Sequence, residues 1–294
     1  MHVLITGGTG FIGEALRPAL LEDGHTLTIL TRQSLESMDR VAYVRSLDEV
    51  DLPVDAVINL AGASLAGRRW NSRYKAEIID SRIGTTRAVG DFFERAGTAP
   101  SVWLNASAIG YYGPRDDEVV DEQGAAGEGF SAELCRDWEA AAREAAGEGT
   151  RLCVLRLGVV FDRDGGAYPQ IAAPFRMGVA NWIGDGHQYL SWVHRGDVVA
   201  AMRHLLGATD LVGVFNVTAP TPVTSRELCD AMKRVHRTFI TLPMPAAAMR
   251  LMVGEMADEL LITGQRVVPA RLSDSGFKFA YATIDAALAA IEGR

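Results

Sequence analysis

Met1-His2-Val3-Leu4-Ile5-Thr6-Gly7-Gly8-Thr9-Gly10-Phe11-Ile12-Gly13 opens the chain, and its reading decides the fold. Val3, Leu4 and Ile5 form an apolar strand that runs into a glycine-rich turn, and a helical pattern then continues through Leu16 and Leu20 to Gly24. Gly7, Gly10 and Gly13 are spaced G-x-x-G-x-x-G. A dinucleotide pyrophosphate needs such a turn. One glycine permits the bend, one lets backbone amides approach the phosphate, and one lets the helix pack on the strand. An isolated glycine triplet also occurs in ordinary turns, but this one lies between a strand and a helix, the context that gives it meaning.

Working outward, strand and helix patterns alternate. Leu27–Leu30, the continuous apolar run Ala56–Leu60, Val102–Leu104 and Leu152–Leu157 read as strands covered on both faces. Lys75–Glu94 and Glu133–Ala146 read as helices, the latter with Leu134, Trp138 and Ala141 on one stripe and Glu139 with Arg143 as a surface pair. Pro18 falls inside the first helix and predicts a kink or an early end there. The alternation predicts an α/β fold, a doubly wound parallel sheet with right-handed crossovers and a smaller C-terminal substrate lobe. Residues 1–160, completed by segments from about 188–220, are expected to bind the dinucleotide; residues 161–294, interleaved with them and punctuated by Pro220, Pro222, Pro243, Pro245 and Pro269, form the second lobe.

Bulk properties narrow the function. The chain has 294 residues, 48% hydrophobic and 22% charged, as expected of a globular α/β protein. A net charge of −8 argues against a nucleic-acid partner, so an anionic ligand has to be held by local donors. No apolar run is long enough to span a membrane, and no leader pattern precedes the first strand. Cys135, Cys153 and Cys229 are odd in number and widely spaced, which suits free thiols in a reducing, cytoplasmic setting. The six histidines have no metal-ligand spacing, so no metal is expected. The second strand ends at Leu30-Thr31-Arg32, with no Asp or Glu beside it and the nearest, Glu36, four residues on. A cation there suits the 2′-phosphate of NADP(H), and Ser34 adds a hydroxyl.

These landmarks resemble the extended branch of the short-chain dehydrogenase/reductase superfamily. They are Thr6–Gly13, Asn59-Leu60-Ala61-Gly62, Val154–Val160, Gly184–Gln188, Trp192–Val198 and Phe215-Asn216-Val217, in that order. Arg69-Trp70, Lys75, Ile78, Ser81-Arg82 and Thr86, with Gly254-Glu255, Gln265-Arg266-Val267, Pro269 and Gly276-Phe277, are similar to a nucleoside-diphosphate-sugar epimerase-like subgroup with a short C-terminal domain of unassigned role. The resemblance implies a Rossmann fold and NADP(H). It sets Thr6, Gly7, Gly10, Phe11, Ile12, Gly13, Arg32, Leu60, Ala61 and Gly62 along the coenzyme.

The usual catalytic pair is missing. Members of the branch carry Tyr-x-x-x-Lys on one helix, the ammonium lowering the phenol's pKa. Here none of the three lysines, Lys75, Lys233 and Lys278, lies four residues after a tyrosine. The corresponding helix reads Phe130-Ser131-Ala132-Glu133-Leu134-Cys135, so the tyrosine slot is Phe130 or Ser131 and the lysine slot Leu134 or Cys135. Asn105–Gly113 matches the serine-bearing strand end. Ser107 stands at or beside the catalytic serine, although strict spacing from Tyr112 puts Ala108 there. Tyr111 or Tyr112 is a candidate for the missing phenol, or else both are pocket-wall aromatics; Arg115 is a candidate cation for them. His194 and Arg195, the rings of Trp70, Trp182 and Trp192, and Arg266 are candidate substrate contacts, the alternative being core or support roles. Gln265-Arg266 can also close a contact in a homodimer. Two functions fit: an NADP(H)-dependent oxidoreductase or epimerase acting on a small polar or sugar-nucleotide-like substrate, or an NADP(H)-binding redox sensor that does no chemistry. A purely structural scaffold fits poorly with an intact phosphate loop.

Overall fold

The computed structural model describes residues 1–293. Seven parallel strands make the central sheet: β1 (His2–Thr6), β2 (Thr26–Leu30), β3 (Val41–Val44), β4 (Ala56–Asn59), β5 (Val102–Ala108), β6 (Arg151–Leu157) and β7 (Gly213–Val217). Their spatial order is β7-β6-β5-β4-β1-β2-β3, a doubly wound Rossmann arrangement whose direction of winding reverses between β1 and β4. Ligands bind at such a reversal, outside the carboxyl ends of the strands. Val3, Leu4 and Ile5 are all completely buried because both faces of the sheet are covered. Val3 and Ile5 face one layer with Ile58, Leu16 and Met202, whereas Leu4 and Val57 face the other with Val89, Phe93 and Trp103. Each such fully buried side chain contributes about 1.5–3 kcal/mol.

The helices α1 (Phe11–Glu22), α2 (Ser72–Ile79), α3 (Thr85–Ala96) and α4 (Phe130–Ala146) belong to the first two-thirds of this frame. Helix α1 does not end early. It passes through Pro18 because Gly13, Leu16 and Leu20 are anchored in the core, while Pro18 and Glu14, whose carbonyl loses its partner, are exposed. The stretch read as one helix over Lys75–Glu94 is interrupted. A π-helical turn, Asp80–Gly84, joins α2 to α3.

The second lobe is built from α5 (Tyr168–Arg176), α7 (Ser225–Val235) and α10 (Ile284–Glu292) around a three-stranded sheet of Val159–Asp162, Gly165–Gly166 and Trp192–His194. Between them in the chain, α6 (Arg195–Gly207) returns to the central sheet beside α1. The remaining helices are α8 (Ala246–Val253) and α9 (Ala270–Asp274). Phe161, Tyr168, Phe175, Trp192, Met232 and Leu288 form the lobe's separate core. Among the described residues no helix is long and apolar enough to cross a membrane.

Two glycines make the first turn. Gly7 has φ +69°, and a Cβ on it would lie 2.6 Å from the Leu60 carbonyl oxygen at the end of β4. A Cβ on Gly13 would lie 2.5 Å from the Cα of Gly8, so α1 sits directly on the turn. We expect Gly13→Ala to cost about 1–3 kcal/mol in stability, because backbone rather than a side chain has to yield. Denaturant unfolding checks this, and an unchanged midpoint refutes the packing role.

Candidate functional site

The carboxyl ends of β1, β4 and β5 are tied by buried amide and hydroxyl groups. Thr6 Oγ1 donates to Asn59 Oδ1 at 2.5 Å and accepts from the Ala61 amide at 3.2 Å. Asn59 Nδ2 donates to Thr86 Oγ1 and to Asn105 Oδ1, both at 2.7 Å. Thr6 thus fixes the exit of β4 and with it Leu60, Ala61 and Gly62. The Gly10 amide donates to the Gly7 carbonyl at 3.0 Å, closing the turn. Gly10 is the N-cap of α1 and supplies no side-chain cap. Among the described residues, the amides of Phe11, Ile12 and Gly13 have no partner. Free amides at the positive end of a helix are a ready anion site. Arg32, beyond the end of β2, is exposed and makes no ion pair or hydrogen bond among the described residues. These groups fit a phosphorylated dinucleotide: a tight glycine turn that presents unpartnered amides and, beyond it, a guanidinium with no partner among the described residues.

Phe11 and Arg195 meet here. The Gly165–Gly166 hairpin lies against the Phe11 ring so closely that only glycine fits. Arg195 stacks over that ring at 4.7 Å, donates to the Phe11 carbonyl at 3.3 Å and pairs with Asp162 at 2.6 Å. Arg195 therefore braces the phosphate loop.

One strand further along, the proposed reactive groups lie in a buried network. Ser107 Oγ donates to Glu139 at 2.9 Å. Glu139 is completely buried and accepts two hydrogen bonds from Arg156, at 2.8 and 3.0 Å. Glu139 is thus not on the surface. The stripe that carries Trp138 also turns Glu139 inward to a partner on β6, and Arg143 adds a third partner at 3.2 Å from the rim. Burial works against the charge on Arg156, but Glu139 outweighs it and holds the guanidinium's pKa above its usual value. Arg156 donates to the Tyr112 hydroxyl at 3.0 Å and lies 3.3 Å from the centre of the Tyr111 ring. The Tyr112 hydroxyl in turn donates to Asn216 at 2.7 Å. Burial raises the Tyr112 phenol above its ordinary pKa despite Arg156 beside it. Tyr111 remains partly exposed. Arg115 is directed elsewhere, donating to the carbonyls of Tyr112 and Ala125 at 3.0 and 2.7 Å.

Helix α4 brings the vacated slots to this place. Gly110 abuts Ser131 and Cys135. Ser131 Oγ is buried with no partner. Burial and the neighbouring Glu139 push the Cys135 thiol up to about 11, which keeps it protonated and unreactive. Gly129, at φ +95°, admits a carboxylate that the sequence did not single out: Glu259 accepts from the Phe130 and Ser131 amides at 3.2 and 3.1 Å, capping α4 from the C-terminal segment. Lys75 Nζ stands 4.7 Å from the centre of the Phe130 ring and pairs with Glu255 at 2.6 Å.

The other sequence-named residues take supporting places. Trp192 is fully buried, its indole donating to the Thr221 carbonyl at 3.2 Å. His194 Nδ1 accepts from the Gly196 amide at 3.0 Å, and its ring lies 3.9 Å from that of Tyr281; burial lowers its pKa. Trp182 is stacked under Arg226 at 4.4 Å. Trp70 donates to the Leu65 carbonyl at 2.8 Å and meets the Phe130 ring edge-on at 5.1 Å, which leaves it beside the vacated slot. Arg266 lies 5.0 Å over Tyr189, in a two-residue strand paired with Val119–Val120.

Removing one member of the buried pair is costly. Glu139→Gln is expected to destabilise the protein by about 3–5 kcal/mol, and Glu139→Leu combined with Arg156→Met by much less. Chemical denaturation of the two variants measures this, and equal losses would show the pair to be non-coupled.

Comparison with known proteins agrees with this geometry. Residues 3–218 match the NAD dependent epimerase/dehydratase family, and residues 244–291 match a domain of unknown function, DUF1731. The chain is 39% identical over 290 residues to the epimerase family protein Mb2239 of Mycobacterium bovis, covering 97% of this chain and 96% of that one. The crystal structure of the human epimerase family protein SDR39U1 with NADPH superimposes with a TM-score of 0.90 at 35% identity over the full length of both chains. A nucleoside-diphosphate sugar epimerase from Corynebacterium glutamicum gives a TM-score of 0.79 at 28% identity, covering 100% of this chain and 58% of that one. With the family model spanning well over half its length, the chain belongs to the NAD dependent epimerase/dehydratase family, within the extended short-chain dehydrogenase/reductase group that its sequence resembles.

Proposed function

We propose that the protein is an NADP(H)-dependent oxidoreductase or epimerase acting on a small polar, sugar-like substrate in a reducing, cytoplasmic setting. The observation that carries this reading is the set of unpartnered amides of Phe11, Ile12 and Gly13, with Arg32 unpaired beyond them. The NADPH bound to the human relative supports it. When bound, the coenzyme supplies hydride exchange. The chain's own part is binding and proton handling. Main-chain amides hold the pyrophosphate, Arg32 pairs with the 2′-phosphate, and Leu60, Ala61 and Gly62 line the path toward β5. Tyr111, partly exposed, is the phenol able to meet a substrate oxygen, whereas the Tyr112 hydroxyl is committed to Asn216.

A second reading, an NADP(H)-binding sensor without turnover, is favoured by one observation: the Ser107 and Tyr112 hydroxyls are both engaged in the Glu139–Arg156 network.

Arg32→Ala is expected to weaken NADPH binding about ten- to a hundredfold, the worth of charge-assisted hydrogen bonds, and to leave NADH binding unchanged. Fluorescence titration tests this, and equal wild-type affinity for the two coenzymes refutes the role of Arg32. With a panel of carbonyl substrates, Tyr111→Phe is expected to lower kcat about a hundredfold, as loss of a proton-transfer group does. Turnover by no substrate favours the sensor, and full activity in Tyr111→Phe, Tyr112→Phe and Ser107→Ala overturns the catalytic assignment.

A further inference from the structure

Arg82 has no counter-ion among the described residues. The π-helical turn Asp80–Gly84 inserts an extra residue between α2 and α3, a distortion common at functional sites. The turn is held to the exit of β4, because Ser81 Oγ accepts from the Ala63 amide at 2.9 Å. Arg82 stands next to it. A Cβ on Gly62 would come within 2.9 Å of the Arg82 guanidinium carbon, so the group lies against the strand exit. Its other side stacks on Trp138 of α4 at 5.3 Å. Cys135, one of the two candidates for the slot of the missing lysine, is close enough for the two to interact electrostatically.

A guanidinium carries five N–H donors. Arg82 uses one nitrogen, Nη1, on the Ile78 carbonyl at 3.1 Å, and no carboxylate pairs with it among the described residues. Nε and Nη2 have no partner among the described residues, yet neither is among the polar atoms sealed from solvent. Arg156, with Glu139 against it, is the contrast: there the charge is already matched. A partly desolvated cation with an idle donor fork is matched by a planar or tetrahedral oxyanion.

We propose that Arg82 is a receptor for an anionic oxygen group of the substrate, a carboxylate or phosphate, at the reaction end of the cleft between the exit of β4 and α4. This rests on the coenzyme-binding reading above and adds a substrate class to it: polar molecules bearing an oxyanion near the reacting carbon.

The test titrates malonate and inorganic phosphate into the full chain saturated with NADP⁺, by calorimetry, in wild type, Arg82→Gln and Arg82→Lys. Affinity for NADPH is measured alongside. Malonate is expected to bind the wild type in competition with phosphate, and Arg82→Gln to weaken it about tenfold or more with NADPH affinity unchanged. Absence of malonate binding to the NADP⁺-bound wild type overturns the proposal, as does equal binding to Arg82→Gln. Loss of NADPH affinity in Arg82→Gln by the same factor as malonate also overturns it, assigning the guanidinium to the coenzyme's own phosphates. Failure of the wild type to bind NADPH at all overturns the coenzyme reading instead. Should Arg82→Gln not fold, Arg82→Lys carries the test, because an ammonium cannot reproduce the fork; wild-type malonate affinity in that variant refutes the receptor.

Discussion

The Glu139–Arg156 ion pair governs what the polar groups at the reaction end can do. Two charges buried side by side are tolerable only when their remaining donors and acceptors are filled, and here the filling is done by the residues that a catalytic reading would want free. Glu139 accepts from the Ser107 hydroxyl, Arg156 donates to the Tyr112 oxygen, and Asn216 accepts from the Tyr112 hydroxyl. The pair thereby welds β5, β6, β7 and α4 together. The chain has given up the mobile phenol–ammonium arrangement of its wider group for a fixed electrostatic keystone. Outside that keystone stand the partly exposed Tyr111 and Arg82, while the unpartnered Ser131 hydroxyl is sealed from solvent.

The coenzyme end was readable because its determinants are local. Positive φ at Gly7, contact at Gly13 and an uncapped helix start are properties of a dozen consecutive residues, and the spacing of the glycines announces them. The doubly wound parallel sheet followed from alternation and handedness. The reaction end was opaque for the opposite reason. Glu139 and Arg143 have the spacing of an exposed helical pair, and nothing within the helix reveals that β6 presents Arg156 to its inner face. The signal lay in β6 itself, where a lone arginine interrupts the apolar run Leu152–Leu157 and so requires a buried counter-charge. Pro18 misled because a helix interior tolerates a missing donor when the orphan carbonyl faces water and packing supplies the rest. The π turn at Asp80–Gly84 has no local signature at all; it emerges from two helices meeting the fixed exit of β4.

The C-terminal segment, whose role in the family is unassigned, has a definite physical task here. Glu259 caps the amino terminus of α4, Glu255 holds Lys75 beside Phe130, and Arg266–Val267 extends the Val119–Val120 strand. The segment is tied to the rest of the chain through these ionic and backbone contacts as well as the apolar packing of Met256 with Trp70 and Tyr74.

The clasp of Arg195 and the Gly165–Gly166 hairpin on Phe11 has a mechanical corollary. Phe11 begins the helix whose first three amides have no partner among the described residues, and the hairpin belongs to the second lobe. Moving the second lobe away from α1 therefore breaks both the Arg195 stack on the Phe11 ring and its hydrogen bond to the Phe11 carbonyl.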